Sequence, residues 1–228
     1  MVERTVRHLD VFQNYRPSWK PDWNTRLDDL DVKFDAIELD MLASARRIRQ
    51  PIESASDISS AFDNITYKKG ASVIRMFETW AGETLFQEGV RRYLRQYEFG
   101  NATESDFLGA LSSTTEPELS KAFSTFTNQP GVPMVTAEVR CAGSPVLELK
   151  QARYLDLGLE AGEDQKWSIP VCVRHSGGSA SVKECFLLKD ANATFSLTKA
   201  SGCPAWLVLN AEAGGYYISR QTSGMLTF

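Results

Sequence analysis

Histidine is scarce in this chain: only His8 and His175 occur among the 228 residues, and they lie far apart in the sequence. Imidazole is the commonest metal ligand among side chains and the usual acid–base group near neutral pH. Two isolated histidines leave little room for a histidine-rich metal site. Neither has an obvious partner nearby in the sequence, and we interpret both as surface residues.

An excess of positive charge is also missing. Lys and Arg number 25 against 29 Asp and Glu, a formal net charge of −4, and there is no long basic run. Binding of nucleic acid or of an anionic membrane surface is therefore not expected. No apolar run approaches the roughly 20 residues of a membrane helix, and residues 1–20 carry charges without an apolar core, so we predict neither a transmembrane helix nor a signal peptide.

Standard catalytic motifs are absent as well. There is no His-Glu-x-x-His, no Gly-x-x-x-x-Gly-Lys-Ser/Thr, no Gly-x-Gly-x-x-Gly and no Gly-x-Ser-x-Gly. These patterns would indicate a zinc peptidase helix, a phosphate loop, a dinucleotide fold and a nucleophile elbow. The acidic run from Asp28 to Asp40 lacks the glycine and spaced oxygen ligands of a calcium loop. We interpret it as a solvated helix face.

The composition changes near residue 128. Residues 1–128 carry 16 basic and 20 acidic side chains, whereas residues 129–228 carry nine of each and all four cysteines. The junction Asn128–Pro133 is rich in turn-forming residues. A chain of this length suits one or two domains. We therefore predict two, 1–128 and 129–228.

The first part predicts helices, because apolar side chains recur at spacings of three and four. Three such faces are Trp19, Trp23, Leu27, Leu30 and Phe34; Val73, Met76, Phe77 and Trp80; and Phe86, Val90, Tyr93, Leu94 and Tyr97. We interpret Trp19 and Trp23 as core residues. Gly82 predicts the end of the second helix and Thr103 an N-cap. Pro117 predicts the start of a last helix.

The second part predicts short strands separated by Gly- and Ser-rich turns. The segments are Val132–Cys141, Val146–Gln151, Trp167–Arg174, Lys183–Leu188, Thr194–Leu197, Trp206–Leu209 and Gly215–Ser219. About seven short strands in roughly 100 residues are typical of a β-sandwich.

The cysteines suggest cross-links. A hairpin that turns between Gly178 and Ser179 places Cys172 opposite Cys185, close enough for a disulfide if the pair is not hydrogen-bonded. Cys141 and Cys203 remain as a possible second pair. Four cysteines allow three connectivities, and buried free thiols are an equally open alternative. Possible disulfides weakly favour an oxidising compartment. On this ground alone we expect a periplasmic or extracytoplasmic location.

One segment is far more specific. Residues 61–76 resemble a signature of the aminopeptidase N (alanyl aminopeptidase) family of zinc metallopeptidases, Phe-Asp-x-Ile-x-Tyr-x-Lys-Gly-x-x-Val-x-x-Met. All its fixed positions are matched: Phe62, Asp63, Ile65, Tyr67, Lys69, Gly70, Val73 and Met76. Further segments similar to the family are Arg16–Trp19, Leu42–Ile48, Phe86–Tyr97, Gly100–Thr103, Gln129–Pro133, Gln151–Tyr154, Trp167–Pro170 and Trp206–Tyr217.

The resemblance implies a role for Tyr67. In the family, the tyrosine at this position donates its hydroxyl to the oxyanion that forms at the scissile carbonyl, which is a recognised source of rate acceleration. Asp63 is expected to cap or orient the turn at the start of this helix. Lys69 and Gly70 are expected to serve helix entry and close packing.

The resemblance also implies that parts of the enzyme are missing. The family's zinc-ligand helix and its Gly-x-Met-Glu-Asn loop have no counterpart here, and Glu3 falls slightly beyond the expected position of the third ligand. Zinc is therefore expected in the parent enzyme but not in this chain, which alone should hydrolyse nothing. Peptide substrate and the missing N-terminal peptidase half are the implied partners.

The expected fold is α+β: a helical subdomain, similar to the C-terminal half of a thermolysin-like catalytic domain, followed by a β-sandwich. The expected function is part of a zinc aminopeptidase in which this chain supplies Tyr67 but no zinc ligand. Two alternatives stay open, a non-catalytic protein-binding module and a subunit of a split enzyme. Self-association through a face that the missing half would cover is possible in each case. Substrate preference, oligomeric state and the status of Met1 as a natural start are not determined by the sequence.

Overall fold

The computed structural model describes residues 22, 25–155, 165–178 and 180–221. Within them, helices in the first part and strands in the second give an α+β organisation. The chain divides into two compact units, each described by itself below. The helical unit comprises the residues up to Asp40 and Ala45–Pro130, and the strand unit comprises Met41–Ser44 and the residues from Gly131. Nothing in the sequence predicts that Met41–Ser44 belongs to the strand unit.

The helical unit is built from short helices. They are α1 (Thr25–Asp40), α2 (Ala55–Ser60), α3 (Gly70–Ala81), α4 (Glu83–Gln96), α5 (Glu104–Ser112) and α6 (Leu119–Thr127). A π-helical turn, Ile65–Lys69, leads directly into α3. Gly82 ends α3 with φ of 89°, as predicted, because glycine accepts this conformation without strain. Thr103 caps α5 by accepting a hydrogen bond from the Asp106 backbone amide, also as predicted.

Aromatic packing forms the core of this unit. Phe77 on α3 is fully buried, and its ring centroid lies 5.2 Å from that of Phe123 and 6.1 Å from that of Phe126 on α6. On α4, Tyr93 meets Phe107 of α5 edge to face at 5.2 Å. The predicted apolar faces of α3 and α4 are therefore confirmed in their central positions.

The predicted face of α1 is wrong in its described part. Leu27 and Phe34 are 59% and 53% exposed, whereas the buried positions are Lys33, Ala36, Ile37 and Asp40. These four recur at helical spacing, so α1 does bury one face. That face carries two charged groups, and hydrophobic spacing alone therefore selected the wrong side. Trp19 and Trp23 lie outside the described residues.

The strand unit contains two sheets. Its strands are β1 (Val132–Arg140), β2 (Val146–Tyr154), β3 (Ile169–Ser176), β4 (Ser181–Leu188), β5 (Asn192–Ser196), β6 (Leu207–Leu209) and β7 (Ile218–Gln221). One sheet has the order β5-β2-β1-β7 and the other β4-β3-β6. All pairings are antiparallel except β1 with β7. Each predicted strand segment overlaps one of these strands.

Alternating side chains build the interior of the strand unit. Val135 and Ala137 on β1 and Leu147 and Leu149 on β2 are fully buried on one face, at the period of two that a strand imposes. Gln151 is also buried, and its side-chain amide bonds both the N–H and the C=O of Trp167. This pairing satisfies backbone groups that would otherwise be buried without a partner.

A close approach explains why glycine stands at position 215 in the segment Asn210–Tyr217. A Cβ at Gly215 would lie 2.1 Å from the ring of Tyr217, which no side chain permits. The Asn210 side chain accepts a hydrogen bond from Gly215 N at 2.7 Å and donates one to Gly215 O. The amide thus closes the loop around a residue that must be glycine.

Two disulfides cross-link the strand unit. Cys172 on β3 lies directly opposite Cys185 on β4, in the predicted register, and the two are bonded. Cys141 is bonded to Cys203. The open alternative of free thiols does not hold, since no cysteine is unpaired.

The prediction that His175 is a surface residue is wrong. Its side chain is fully buried on β3, where one ring nitrogen lies 2.9 Å from a Glu184 carboxylate oxygen on β4 and the other lies 3.1 Å from Ser176 O. Glu184 is nine residues away across the hairpin, so strand pairing supplies the partner that local sequence did not show. His8 lies outside the described residues.

Candidate functional site

Tyr67 lies in the π-helical turn Ile65–Lys69. Such turns insert an extra residue into a helix and occur frequently at functional sites. The Tyr67 side chain is half-buried, with the Phe62 ring 6.4 Å away between centroids. In the part of the chain that the structure describes, its hydroxyl has no hydrogen-bond partner. The phenol is therefore free to donate to a ligand.

Three side chains fix the start of this turn. Asp63 accepts a hydrogen bond from the Thr66 backbone N–H at 2.9 Å. Arg46 donates to the Asp63 carboxylate at 3.0 Å and to the Thr66 hydroxyl at 2.9 Å. The expected orienting role of Asp63 is confirmed, and Arg46 joins it. We call these residues the Arg46 clamp.

A buried ion pair fixes the end of the turn. The Lys69 ammonium lies 2.9 Å from the Asp40 carboxylate at the end of α1, and neither side chain is exposed to solvent. The same ammonium donates to Gln129 O at 3.1 Å. Lys69 thus joins three segments of the helical unit that are distant in sequence. We call this the Lys69–Asp40 pair.

The acidic run of α1 is not simply a solvated face. Asp29 pairs with Arg75 at 3.5 Å, Asp35 pairs with Lys68, and Asp40 pairs with Lys69. The interpretation as a solvated face is wrong for Asp40, which is fully buried, whereas Asp35 stays exposed beside its partner at the surface.

Close packing does not explain Gly70. A Cβ at this position would meet nothing within 4 Å, and the backbone is ordinary right-handed helix with φ of −56°. That expectation is therefore wrong. Lys69 does enter the helix as expected, but its buried ion pair is the stronger constraint.

An apolar cavity of about 260 Å³ lies beside the turn. Thr66 and Gly70 line it, together with Ile74 and Phe107, whereas Tyr67 does not. Its polar rim includes Glu104, which accepts a hydrogen bond from the Thr127 hydroxyl at 3.0 Å. The cavity is therefore adjacent to the candidate site without containing the tyrosine.

Sequence reasoning missed Arg46, Asp40 and Gln129 as parts of this site. Gln129 acts through its carbonyl, so its side-chain type carries no signal. Asp40 belongs to the acidic run of α1, and Lys69 belongs to the signature at residues 61–76. A search for opposite charges between these two segments could have suggested that they pair.

The described residues do not fit a zinc site. Among residues 22, 25–155, 165–178 and 180–221, no group of three or more His, Cys, Asp or Glu side chains converges as a metal site would require. Glu3 lies outside those ranges.

None of the described helices combines enough residues with enough apolar character to cross a membrane.

Comparison with known proteins places this site in a family. The model of the peptidase family M1 domain matches residues 6–126. This range includes Tyr67, the Arg46 clamp and the Lys69–Asp40 pair, but not Gln129. The resemblance to the aminopeptidase N family is thereby confirmed.

Relatives carry the similarity into the strand unit. The chain is 31% identical over 209 residues to aminopeptidase M1 of Arabidopsis thaliana, covering 86% of this chain and 23% of the relative. It is 30% identical over 198 residues to the puromycin-sensitive aminopeptidase of Caenorhabditis elegans, covering 86% and 21%. Aminopeptidase 2, mitochondrial, of Saccharomyces cerevisiae is 30% identical over 211 residues, covering 91% and 21%. The chain spans less than a quarter of the length of these relatives. It belongs to peptidase family M1, a family of metallopeptidases.

Proposed function

We propose that this chain is the part of a zinc aminopeptidase that carries the oxyanion-stabilising tyrosine. The observation that supports it most directly is the state of Tyr67: a half-buried phenol that has no hydrogen-bond partner among the residues the structure describes, on a turn held at both ends. Hydrolysis of a peptide bond adds water to the carbonyl carbon and places negative charge on the carbonyl oxygen. A preorganised O–H donor stabilises that charge more than it stabilises the neutral substrate.

In this proposal the helical unit corresponds to the C-terminal half of a thermolysin-like catalytic domain, and the strand unit to a β-sandwich domain that follows it. Names of the relatives support removal of N-terminal residues from peptides as the reaction, since all three are called aminopeptidases. The substrate, zinc and the missing N-terminal peptidase half are the partners that the proposal requires.

Exposed apolar side chains on α1 support the need for such a partner. Leu27 and Phe34 lie seven residues apart and therefore on the same side of α1, and they are 59% and 53% exposed. Apolar positions grouped on a surface commonly mark an interaction site. The upstream peptidase half is the occupant we propose, and self-association is the alternative that light scattering of the chain would detect.

The proposal is tested by Tyr67→Phe in the enzyme assembled with its zinc-bearing part. Phenylalanine keeps the ring and removes only the donor, so kcat should fall by about 10²–10³-fold. Tyr97→Phe is a matched control, because the Tyr97 hydroxyl already bonds Asp106 at 2.9 Å within the helical unit. Steady-state kinetics on a peptide substrate measure both. An unchanged kcat for Tyr67→Phe would remove the proposed role.

A further inference from the structure

The Lys69–Asp40 pair lies under the turn that presents Tyr67. Its ammonium and carboxylate are 2.9 Å apart and fully shielded from solvent. Burial of two charges costs a desolvation penalty that their attraction only partly offsets, and apolar residues of similar size often stabilise a fold as well. Stability alone is therefore a weak reason for an ion pair here. Fixing of one particular geometry is the better-supported use of such a pair.

The geometry that the pair can fix is the register of the π-helical turn. A π turn contains one more residue than the corresponding α-helical turn. Conversion to an α-helix would shift the register by one residue, which rotates a side chain by about 100° around the helix axis. The Tyr67 hydroxyl has no hydrogen-bond partner among the described residues, so the backbone of the turn, together with packing near the Phe62 ring, sets its direction.

The contacts of Lys69 oppose that conversion. Its ammonium reaches two acceptors on separate segments, Asp40 at the end of α1 and the carbonyl of Gln129 after α6. The Arg46 clamp holds the other end of the turn through Asp63 and Thr66. Tyr67 lies between these two fixed points, one residue beyond Thr66 and two before Lys69.

We propose that Lys69 and Asp40 are positioning residues: their buried pair holds residues 65–69 in the π-helical register and thereby aims the Tyr67 hydroxyl. The catalytic part of this inference rests on the proposed function, whereas the structural part concerns the chain alone. The neighbouring Lys68 provides a matched comparison, because it belongs to the same turn but pairs with Asp35 at the surface.

Fluorine NMR of the chain tests the structural part, with a fluorotyrosine placed at position 67. Wild type and Lys68→Met should show the same single resonance. Lys69→Met, and the double variant Lys69→Met with Asp40→Leu, should show a displaced or divided resonance. The double variant removes both charges of the pair, so it decides the question if Lys69→Met does not fold. A wild-type resonance in the folded double variant would overturn the proposal.

Kinetics of the assembled aminopeptidase test the catalytic part. Misplacement of a catalytic group by about 1 Å costs up to about 10²-fold in rate. The double variant should therefore lower kcat by up to about 10²-fold with little change in KM, and Lys68→Met should change neither. Loss of activity in Tyr67→Phe with full activity in the double variant would overturn the positioning role alone. Full activity in Tyr67→Phe would overturn the proposed function, while the NMR result would still decide the structural part.

Discussion

The described residues of each unit include a buried acid–base pair, but the surroundings of the two pairs differ. In the helical unit, Lys69 reaches Asp40 and Gln129, which lie far away in sequence, and the described residues of this unit include no disulfide. In the strand unit, His175 and Glu184 lie on the neighbouring strands β3 and β4, which the Cys172–Cys185 bond also joins. The first pair thus organises tertiary structure, whereas the second adds to a hairpin that is already cross-linked.

This contrast indicates where each unit takes its rigidity from. Covalent bonds and strand pairing hold the strand unit, so its shape does not depend on one ionic contact. The helical unit holds its tyrosine-bearing turn through side-chain charges and hydrogen bonds. A site whose geometry depends on a few polar contacts can be altered by single substitutions, and the following predictions use that difference.

The largest effect is expected from Lys69→Met. It removes one partner of a fully buried ion pair, which typically costs about 3–5 kcal/mol. Lys68→Met removes a surface pair and should cost about 0–1 kcal/mol. Hydrogen exchange read by mass spectrometry measures the loss separately in the helical and strand units. Equal losses for the two variants would contradict the distinction between the buried and the surface pair.

Removal of either disulfide should destabilise the strand unit. In the chain-entropy model, the 62-residue separation of Cys141 and Cys203 corresponds to about 4 kcal/mol, and the 13-residue separation of Cys172 and Cys185 to about 3 kcal/mol. Paired Cys→Ala variants, compared by denaturant unfolding without reductant, measure both values. Hydrogen exchange of the same variants should show lost protection in the strand unit alone. An equal loss of protection in α3 and α4 would contradict the difference between the two units.

Glu184 should make the strand unit sensitive to acid. Burial opposes ionisation of its carboxyl, but hydrogen bonds from His175, Thr198 and the Lys199 backbone outweigh it and hold the pKa below its ordinary value of 4.5. Between the two values the unfolded chain binds more protons, so this stabilisation is complete above pH 4.5 and is lost as pH falls through the folded pKa.

The variant Glu184→Gln tests this dependence. It should cost about 1.5–3 kcal/mol at pH 7, because it weakens hydrogen bonds to a charged group. The difference from wild type should narrow as pH falls below 4.5, since the carboxyl is protonated first in the unfolded chain and, below its lowered pKa, in the folded chain as well. Denaturant unfolding across this range measures the difference. Glu148→Gln, at the surface of the same unit, is the control, and a gap that does not narrow would count against the pKa assignment.

The smallest effect is expected from Lys33→Met on α1. Burial, with the nearby positive charge of Arg75, lowers the pKa of Lys33 to about 8. The folded state therefore disfavours the charged lysine, and removal of the charge should stabilise the helical unit by about 1 kcal/mol at pH 7, after allowance for solvent screening. The wild-type penalty fades as pH rises from 8 to 10.5, because the unfolded chain then binds more protons. A gain that persists unchanged at pH 10.5 would contradict this cause.

Several features of the fold could be predicted because they depend on neighbours in sequence. Gly82 ends α3 and Thr103 caps α5 through contacts within one turn. The Cys172–Cys185 pair follows from hairpin register, which the turn position sets. Tyr67 was selected as the candidate residue by its motif, and its role stays a prediction.

Other features could not be predicted because distant segments supply them. The inward face of α1 includes Asp40, whose burial is compensated by the Lys69 ammonium from the motif. It also includes Lys33, which lies near the like charge of Arg75. His175 looked unpartnered until strand pairing brought Glu184 to it. In each case a polar residue occupies an interior position, which patterns of apolar residues do not reveal.

By itself, the sequence determined the family, the order of helices and strands, and the identity of the candidate tyrosine, because motifs and local periodicity carry that information. The tertiary structure alone decided which charges are buried and how the turn around Tyr67 is held. The energy of an ionic group depends on what surrounds it, and the partners of Lys69 come from segments separated along the chain.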